Sequence, residues 1–470
     1  MADKTKWHPW FLTALTLLLL LPGNNVIPLI DRDEPRFAQA TREMMERNDW
    51  VIPTFNGEDR FDKPVLTYWL MRGAYAIFGV NEFGARFHSV ASAVLLVLAI
   101  YFMGRRWFSA RAAFWAALGM ATCLQMLIHG RSSVADMPMV LFVTLAQWAL
   151  WELVGRAGPA RHGPLSQRAL PWILLLYVSL GLGFLAKGPI AIIVPALTLL
   201  LYRFAFARQP LPWSRLKLHL GIPLMLLIVG AWGIPALAQT QGRFWQVGIG
   251  EHVVERGTKA FNKRLFLPIY YPLTFFLSLF PWCVFVRTGY RTVRQNGSPL
   301  NAFLMSWFVA PYIVFMLYAT QLPHYVMPAF PAFFLLLGQA APMLEKRRKL
   351  IAAWAVVMIL LIPALGLYLR PRTPAIQFLP LYKEMPARAE FACWKFREPS
   401  LVFYSNRRWK ILKTAEDAQA FLDRSGPRLL VAPETDTAGL VLSSNIESRT
   451  VSGINVAKSQ WVTVRALYRR

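Results

Sequence analysis

Cysteine is nearly absent. Cys123, Cys283 and Cys393 are the three in 470 residues, too few for a disulfide framework, and none has a neighbour at metal-ligand spacing. Charge is scarce as well. Only 16% of residues are charged, against about 25% in soluble domains, so the chain lacks the polar surface to coat the several globular cores its length would suggest. Acidic residues are fewest, 25 Asp and Glu against 51 Lys and Arg, for a net charge of +26. There is no solenoid period and no collagen-like repeat. What fills the chain is apolar: 56% of residues, including 18 Trp and 32 Phe, which rules out disorder.

The apolar residues are gathered in runs near 7–23, 86–104, 110–128, 134–154, 170–186, 189–204, 218–238, 267–286, 301–319, 324–343 and 350–369. Each approaches the roughly 20 residues a bilayer demands, so about eleven spans are expected. The basic residues are dispersed over the loops on one side, which excludes nucleic acid as the reason for the charge. With Lys4 and Lys6 inside, the inward loops carry Arg105, Arg106 and Arg111; Arg156, Arg161 and Arg168; Arg203, Arg208, Arg215 and Lys217; Arg287, Arg291 and Arg294; and Lys346 to Lys349. Every inward loop is then basic. Leu21-Pro22-Gly23 offers no small-x-small cleavage site, so the first run reads as a retained helix.

This topology places residues 24–85, the turns at His129–Asp136, Lys187 and Gln321–Tyr325, the 239–266 loop and everything after about 370 on the outer side. The expected organisation is a membrane domain over 1–370, with its first outer loop at 24–85, and an outer soluble domain over 371–470. In the first loop, Phe37, Thr41, Met44 and Met45 recur at helical spacing, with Asp33 as a plausible N-cap and Pro35 in the first turn. A second amphipathic stretch covers Pro64 to Phe78, with Trp69 and Tyr75 suited to an interface. The economical picture is two helices flat on the outer leaflet. Asp136 begins the fourth apolar run, where an ionisable group is costly unless paired or facing water. Beyond 370, Ser400–Tyr404 and Leu429–Ala432 read as short buried strands, Ala415–Arg424 as a helix and Trp461–Tyr468 as an alternating strand, a small α/β domain. It has no Gly-rich phosphate loop, metal cluster or nucleophile motif, and Cys393 is expected to be buried.

The segments Asp33-Glu34-Pro35-Arg36-Phe37-Ala38, Asn48-Asp49-Trp50-Val51-Ile52-Pro53, Phe61-Asp62-Lys63-Pro64 and Tyr68-Trp69 closely resemble the first periplasmic loop of bacterial GT-C glycosyltransferases. The nearest group is that of lipid A aminoarabinose transferases, akin to protein O-mannosyltransferases. Gly181 to Pro189, Glu251-His252 and Leu322-Pro323-His324-Tyr325-Val326-Met327-Pro328 echo the same group in the same order, so the resemblance covers residues 8–345. It implies an all-α polytopic GT-C membrane fold in the bacterial inner membrane. It also implies an inverting glycosyltransferase that takes a sugar from a polyprenyl phosphate and passes it, on the periplasmic face, to lipid A, lipopolysaccharide or another envelope acceptor. By the same resemblance, Asp33 and Asp136 are the expected catalytic carboxylates. Arg36, Lys63 and Arg256 would serve the donor phosphate, and Asp62, His252 and Tyr325 would line the substrate site.

A breaking glycosidic bond loads charge onto the phosphate, and the outward cations Lys63, Lys187, Arg256, Lys259, Lys263 and Arg264 suit that need; for the last three, attraction to anionic headgroups is an equal explanation. Asp33 would act as general base for a hydroxyl acceptor, or would stabilise positive charge on the sugar if the acceptor is already an anionic phosphate. His252 and Tyr325 are also what a membrane interface supplies. No metal site is expected from the sequence, and whether a divalent ion is required is left open. Two departures bear on the sugar. The family often has Glu where this chain has Asp62, and commonly Lys where it has Gln321. Rival classes are a protein O-glycosyltransferase, a non-catalytic envelope assembly factor, and a secondary transporter or lipid flippase; the last is disfavoured by acids at one face and by the lack of two related halves.

Overall fold

The computed structural model describes residues 4–155, 169–208, 210–248, 250 and 269–470. The membrane part is helical: α1 (His8–Leu20), α2 (Asp33–Glu46), α3 (Leu66–Phe78), α4 (Glu82–Trp107), α5 (Ala110–Thr122), α6 (Leu124–His129), α7 (Asp136–Val154), α8 (Leu170–Lys187), α9 (Ile190–Leu201), α10 (Leu218–Gln239), α11 (Tyr270–Ser278), α12 (Val286–Gln295), α13 (Pro299–Met316), α14 (Phe330–Gly338) and α15 (Arg348–Leu369). Apart from α2, α3 and α12, these fall on the expected apolar runs; α12 carries Arg287, Arg291 and Arg294 of an expected inward loop. Six described helical segments are long and apolar enough to cross a bilayer, and the bent pair Tyr270–Ser278 and Trp282–Gln295 makes a seventh if counted as one span. Of the other runs, the first forms the continuous 13-residue helix α1 and the rest are interrupted. Cys123 takes an extended backbone (ψ 147) between α5 and α6, α9 passes into a π-turn at Tyr202, and Pro323–Ala329 winds as a tighter 3-10 turn before α14.

The chain forms two compact units: Met1–Leu21, Phe61–Thr67 and His88–Ile359 in one, and Pro22–Arg60, Tyr68–Phe87 and Leu360–Arg470 in the other. In the first unit α4 and α7 run parallel. His88 Nε2 lies 3.2 Å from the Val134 carbonyl and Ser89 Oγ donates to the Ser132 carbonyl at 2.6 Å, while at the far end Arg106 forms a two-pronged bond to Glu152 at 2.7 and 2.9 Å. The helix α8 returns antiparallel, its start marked by Trp172 under Arg106 and its end by Lys187 beside Asp136. The bundle therefore has one end carrying His88, Asp136 and Lys187, and an opposite end carrying Arg106 and Glu152.

The second unit joins the first outer loop, which carries the antiparallel strands β1 (Thr54–Phe55) and β2 (Glu58–Asp59), to the C-terminal residues. Its sheet is ordered β4-β3-β5-β7-β6, with β3 (Glu390–Trp394), β4 (Trp409–Leu412), β5 (Arg428–Pro433), β6 (Glu447–Asn455) and β7 (Gln460–Arg469). The strands β4, β3 and β5 are parallel, and β7 and β6 are antiparallel. Side chains alternate across it. Phe391 and Cys393 face a core with Phe378, Tyr382 and Trp409, whereas Ala392 and Trp394 face Phe421 and Leu422, as the two-residue period of a strand requires. The expected strand at Leu429–Ala432, the helix at Ala415 and the strand at Trp461–Tyr468 are all present. Ser400–Tyr404 is not a strand. It lies in a helix, Pro399–Ser405, opened by Pro399 at its first position and closed by Asn406 with φ 52; a five-residue apolar run carries too little periodicity to separate the two states.

The loop helices also differ from expectation. Asp33 is not the N-cap of α2. That position is Arg32, without a side-chain capping bond, and Glu34 instead accepts from the Ile30 amide at 2.8 Å. Nor is α2 a surface helix. Nine of its 14 residues are buried, Gln39, Thr41 and Glu43 among them, because Glu43 accepts from Thr54 Oγ1 at 2.7 Å and the Asn56 amide at 2.8 Å. Tyr75 is likewise buried, its hydroxyl on the Ala38 carbonyl at 3.2 Å. Asp31 fastens this loop to the C-terminal part of the unit by accepting from the Ser400 amide at 2.8 Å and hydroxyl at 2.6 Å.

Candidate active site

Asp136 stands in the first turn of α7 and Lys187 in the last turn of α8. The positive end of one helix dipole thus meets a carboxylate and the negative end of the other meets an ammonium, the favourable sense in both cases. The two are hydrogen-bonded, with their side chains 6% and 12% exposed. Gly188 fixes the ammonium there. Its backbone (φ 82, ψ −154) stops α8 directly after Lys187 in a conformation that a side chain would strain.

Around this pair, His324 Nε2 lies 3.9 Å from Asp136 Oδ1, and the His129 ring lies 4.6 Å from that of His324, tilted by 33°. Gln125 Nε2 is 2.9 Å from His129 Nδ1 and accepts through its own oxygen from Ser278 at 3.1 Å. The Lys187 ammonium sits 5.0 Å from the centre of the Tyr325 ring. Lys63 is near enough to act electrostatically on His324. Leading away from these groups is an apolar groove of about 250 Å³, with Asp62, Lys63 and Lys187 among lining residues that include Phe184, Leu226, Trp232 and Phe244. Two ammonium groups at the edge of an apolar channel suit a molecule with an anionic head and a hydrocarbon tail.

Asp62, Lys63, Asp136 and Tyr325 are therefore brought together in the first unit. Asp33 and Arg36 belong to the second, where Asp33 is exposed at the start of α2 and Arg36 lines a cavity of about 200 Å³ with Asn56, Arg397 and Glu398. Arg256 and His252 lie outside the described residues, as do Lys259, Lys263 and Arg264. The sequence counts Lys187 among the outward cations suited to a phosphate but does not pair it with Asp136, and it assigns no role to His129 or His324. The usable signals were the adjacency of Lys187 to a Gly-Pro stop and of His324 to Tyr325. As for a metal, His129, Asp136 and His324 could each present a ligand atom within 4.8 Å of the others. Within this trio the Asp136 carboxylate is held by Lys187.

The profile of the family described as dolichyl-phosphate-mannose-protein mannosyltransferase matches residues 10–293. An undecaprenyl phosphate-alpha-4-amino-4-deoxy-L-arabinose arabinosyl transferase of Pseudomonas paraeruginosa is 33% identical over 337 residues, 70% of this chain and 58% of the relative. One of Edwardsiella ictaluri is 29% identical over 335 residues, 68% of this chain and 57% of its own length. The chain thus spans a little over half the length of these curated relatives. Among solved structures, ArnT from Cupriavidus metallidurans bound to undecaprenyl phosphate superposes with a TM-score of 0.80 at 19% identity, covering 98% of both chains. The archaeal oligosaccharyltransferase AglB from Archaeoglobus fulgidus, in complex with an inhibitory peptide and a dolichol-phosphate, gives 0.56 at 14% identity over 92% of this chain and 70% of that one. These likenesses establish a multi-pass membrane fold of the GT-C type.

Proposed function

The chain belongs to the dolichyl-phosphate-mannose-protein mannosyltransferase family, and from that premise we propose that it is an inverting glycosyltransferase using a polyprenyl-phosphate-linked sugar. The observation that carries this reading is the apolar groove edged by Lys63 and Lys187 beside Asp136. The prenyl tail lies along the groove and the phosphate rests against the ammonium groups. The acceptor oxygen attacks the anomeric carbon on the face opposite the phosphate, the C–O bond breaks, and its electron pair passes to the phosphate oxygen. Fixed cations lower the barrier to that charge transfer. Asp33 takes the proton of a hydroxyl acceptor, or faces the positive sugar ring when the acceptor is a phosphate. The resemblance of the first-loop motifs to lipid A aminoarabinose transferases makes lipid A or a related envelope molecule the favoured acceptor, with a peptide hydroxyl as the alternative. The ion pairs Asp136–Lys187 and Arg106–Glu152 stand at the two ends of the bundle, which argues against transport, where ionisable groups lie near mid-membrane.

The test is transfer by the full chain in liposomes from undecaprenyl-phosphate-linked sugars to lipid A or to Ser/Thr peptides. Absence of transfer with every donor, in protein shown to be folded, would overturn the reading. Within this assay Lys63→Ala is expected to lower kcat/KM by about tenfold to a hundredfold, the scale of a hydrogen bond to a charged group, and Lys63→Arg to keep part of it. Equal kinetics for Lys63→Ala and wild type would reduce Lys63 to a headgroup contact.

The basic loops favour a cytoplasmic position for the end of the bundle bearing Arg106 and a periplasmic one, at a bacterial inner membrane, for the Asp136 end. Cysteines introduced at Asn56 and Ser425 should react with impermeant thiol reagents from outside, and one at Arg291 only after lysis. The reverse pattern at Ser425 would invert the topology.

A further inference from the structure

A second groove, of about 640 Å³, opens in the first unit at the end opposite Asp136, between α1, α5 and α15. It belongs to none of the chemistry above. Its mouth is polar: Thr5 just before α1 and His8 at its start, Arg111 at the start of α5, Glu345 just before α15 and Arg348 at its start. Arg111 is ion-paired with Glu345, and Arg348 acts on that carboxylate electrostatically, so the two guanidinium groups outweigh the single acid. Deeper in, the walls are Leu15, Leu18, Leu118, Ala355 and Ile359.

The dimensions are informative. From His8 to Leu18 along α1, and from Arg348 to Ile359 along α15, the groove follows about 15 Å of helix at 1.5 Å per residue. That is half the roughly 30 Å hydrocarbon core, the depth of one leaflet. A cationic mouth at headgroup level above an apolar channel one leaflet deep matches a lipid in both charge and length.

We propose that this groove holds an acyl chain of an anionic glycerophospholipid, whose phosphate is bound at the mouth by Arg348, with Arg111, His8 and Thr5 beside it. The Arg348 guanidinium makes no hydrogen bond among the described residues, so its donors are available. The site is distinct from the donor groove, and its occupancy does not depend on the sugar-transfer reading.

The full chain in liposomes, exposed to phosphatidylglycerol with a photoreactive diazirine in one acyl chain, should be labelled on α1, α5 and α15 near Leu18, Leu118 and Ile359. Unlabelled phosphatidylglycerol should compete about fivefold or more better than phosphatidylcholine, the factor corresponding to one cation near the membrane surface. Arg348→Gln should abolish that preference and Arg348→Lys should retain it. Ala352→Trp, at an exposed lining position, should fill the channel and block labelling there while the thermal unfolding midpoint stays unchanged. Equal competition by the two lipids, an undiminished preference in Arg348→Gln, or undiminished labelling in Ala352→Trp would each overturn the proposal.

Discussion

Asp33→Asn is expected to lower sugar transfer by on the order of a hundredfold or more, the usual scale for one positioned charged or proton-accepting group, with little change in folding. The structure separates the two effects. Asp33 opens α2 but does not cap it, and its carboxylate is exposed, without a side-chain partner among the described residues. The fold gives it no task beyond a first-turn interaction with the helix dipole, about 0.3–1 kcal/mol. Asn retains the size and removes the charge. Turnover of Asp33→Asn in liposomes should be read beside its unfolding temperature and its KM for the donor. A well-folded variant with near wild-type kcat would move the chemical step elsewhere, first to Asp136.

The Asp136–Lys187 pair should behave differently, because here folding and function are entangled. Removing Lys187 alone leaves a buried carboxylate without its counter-ion, a loss of about 3–5 kcal/mol, and Asp136→Asn alone strands the ammonium. Neutralising both removes the mismatch. Asp136→Asn with Lys187→Gln is thus expected to recover most of the stability lost by either single variant. A structural pair would recover activity with it. If the pair positions the donor phosphate and the acceptor, transfer by the double variant stays down by about a hundredfold or more although its unfolding midpoint has returned. Recovery of both together would remove the pair from the mechanism.

How legible these features were in the sequence follows from the range of the interactions behind them. The apolar runs and basic loops are local signals, and each run became helix. The breaks within them were not legible, since the extended backbone at Cys123 depends on tertiary packing. Asp62, Lys63, Asp136 and Tyr325 are expected from the resemblance of short motifs, and the structure brings them near one another. The partner of Asp136 was missed because Lys187 lies 51 residues away on another helix, beyond any spacing rule. Burial of α2 was missed for the same reason. Its polar residues Glu34 and Glu43 look solvated in sequence, yet Glu34 takes two bonds from buried Arg86 at 2.9 and 2.7 Å, 52 residues on, and Glu43 is satisfied by the Thr54–Gly57 turn.

The three cysteines are free and all buried. Beside the core of the five-stranded sheet, burial pushes the Cys393 thiol up to about 11, so at neutral pH only a minute fraction is thiolate, the form that reacts with alkylating agents. The native chain is therefore chemically quiet toward maleimides. A reporter cysteine placed at Asn56, Ser425 or Arg291 reads against this background without removing the natural thiols. Labelling of the unsubstituted chain, followed over time, would in turn be a direct clock for local opening of its packed interior.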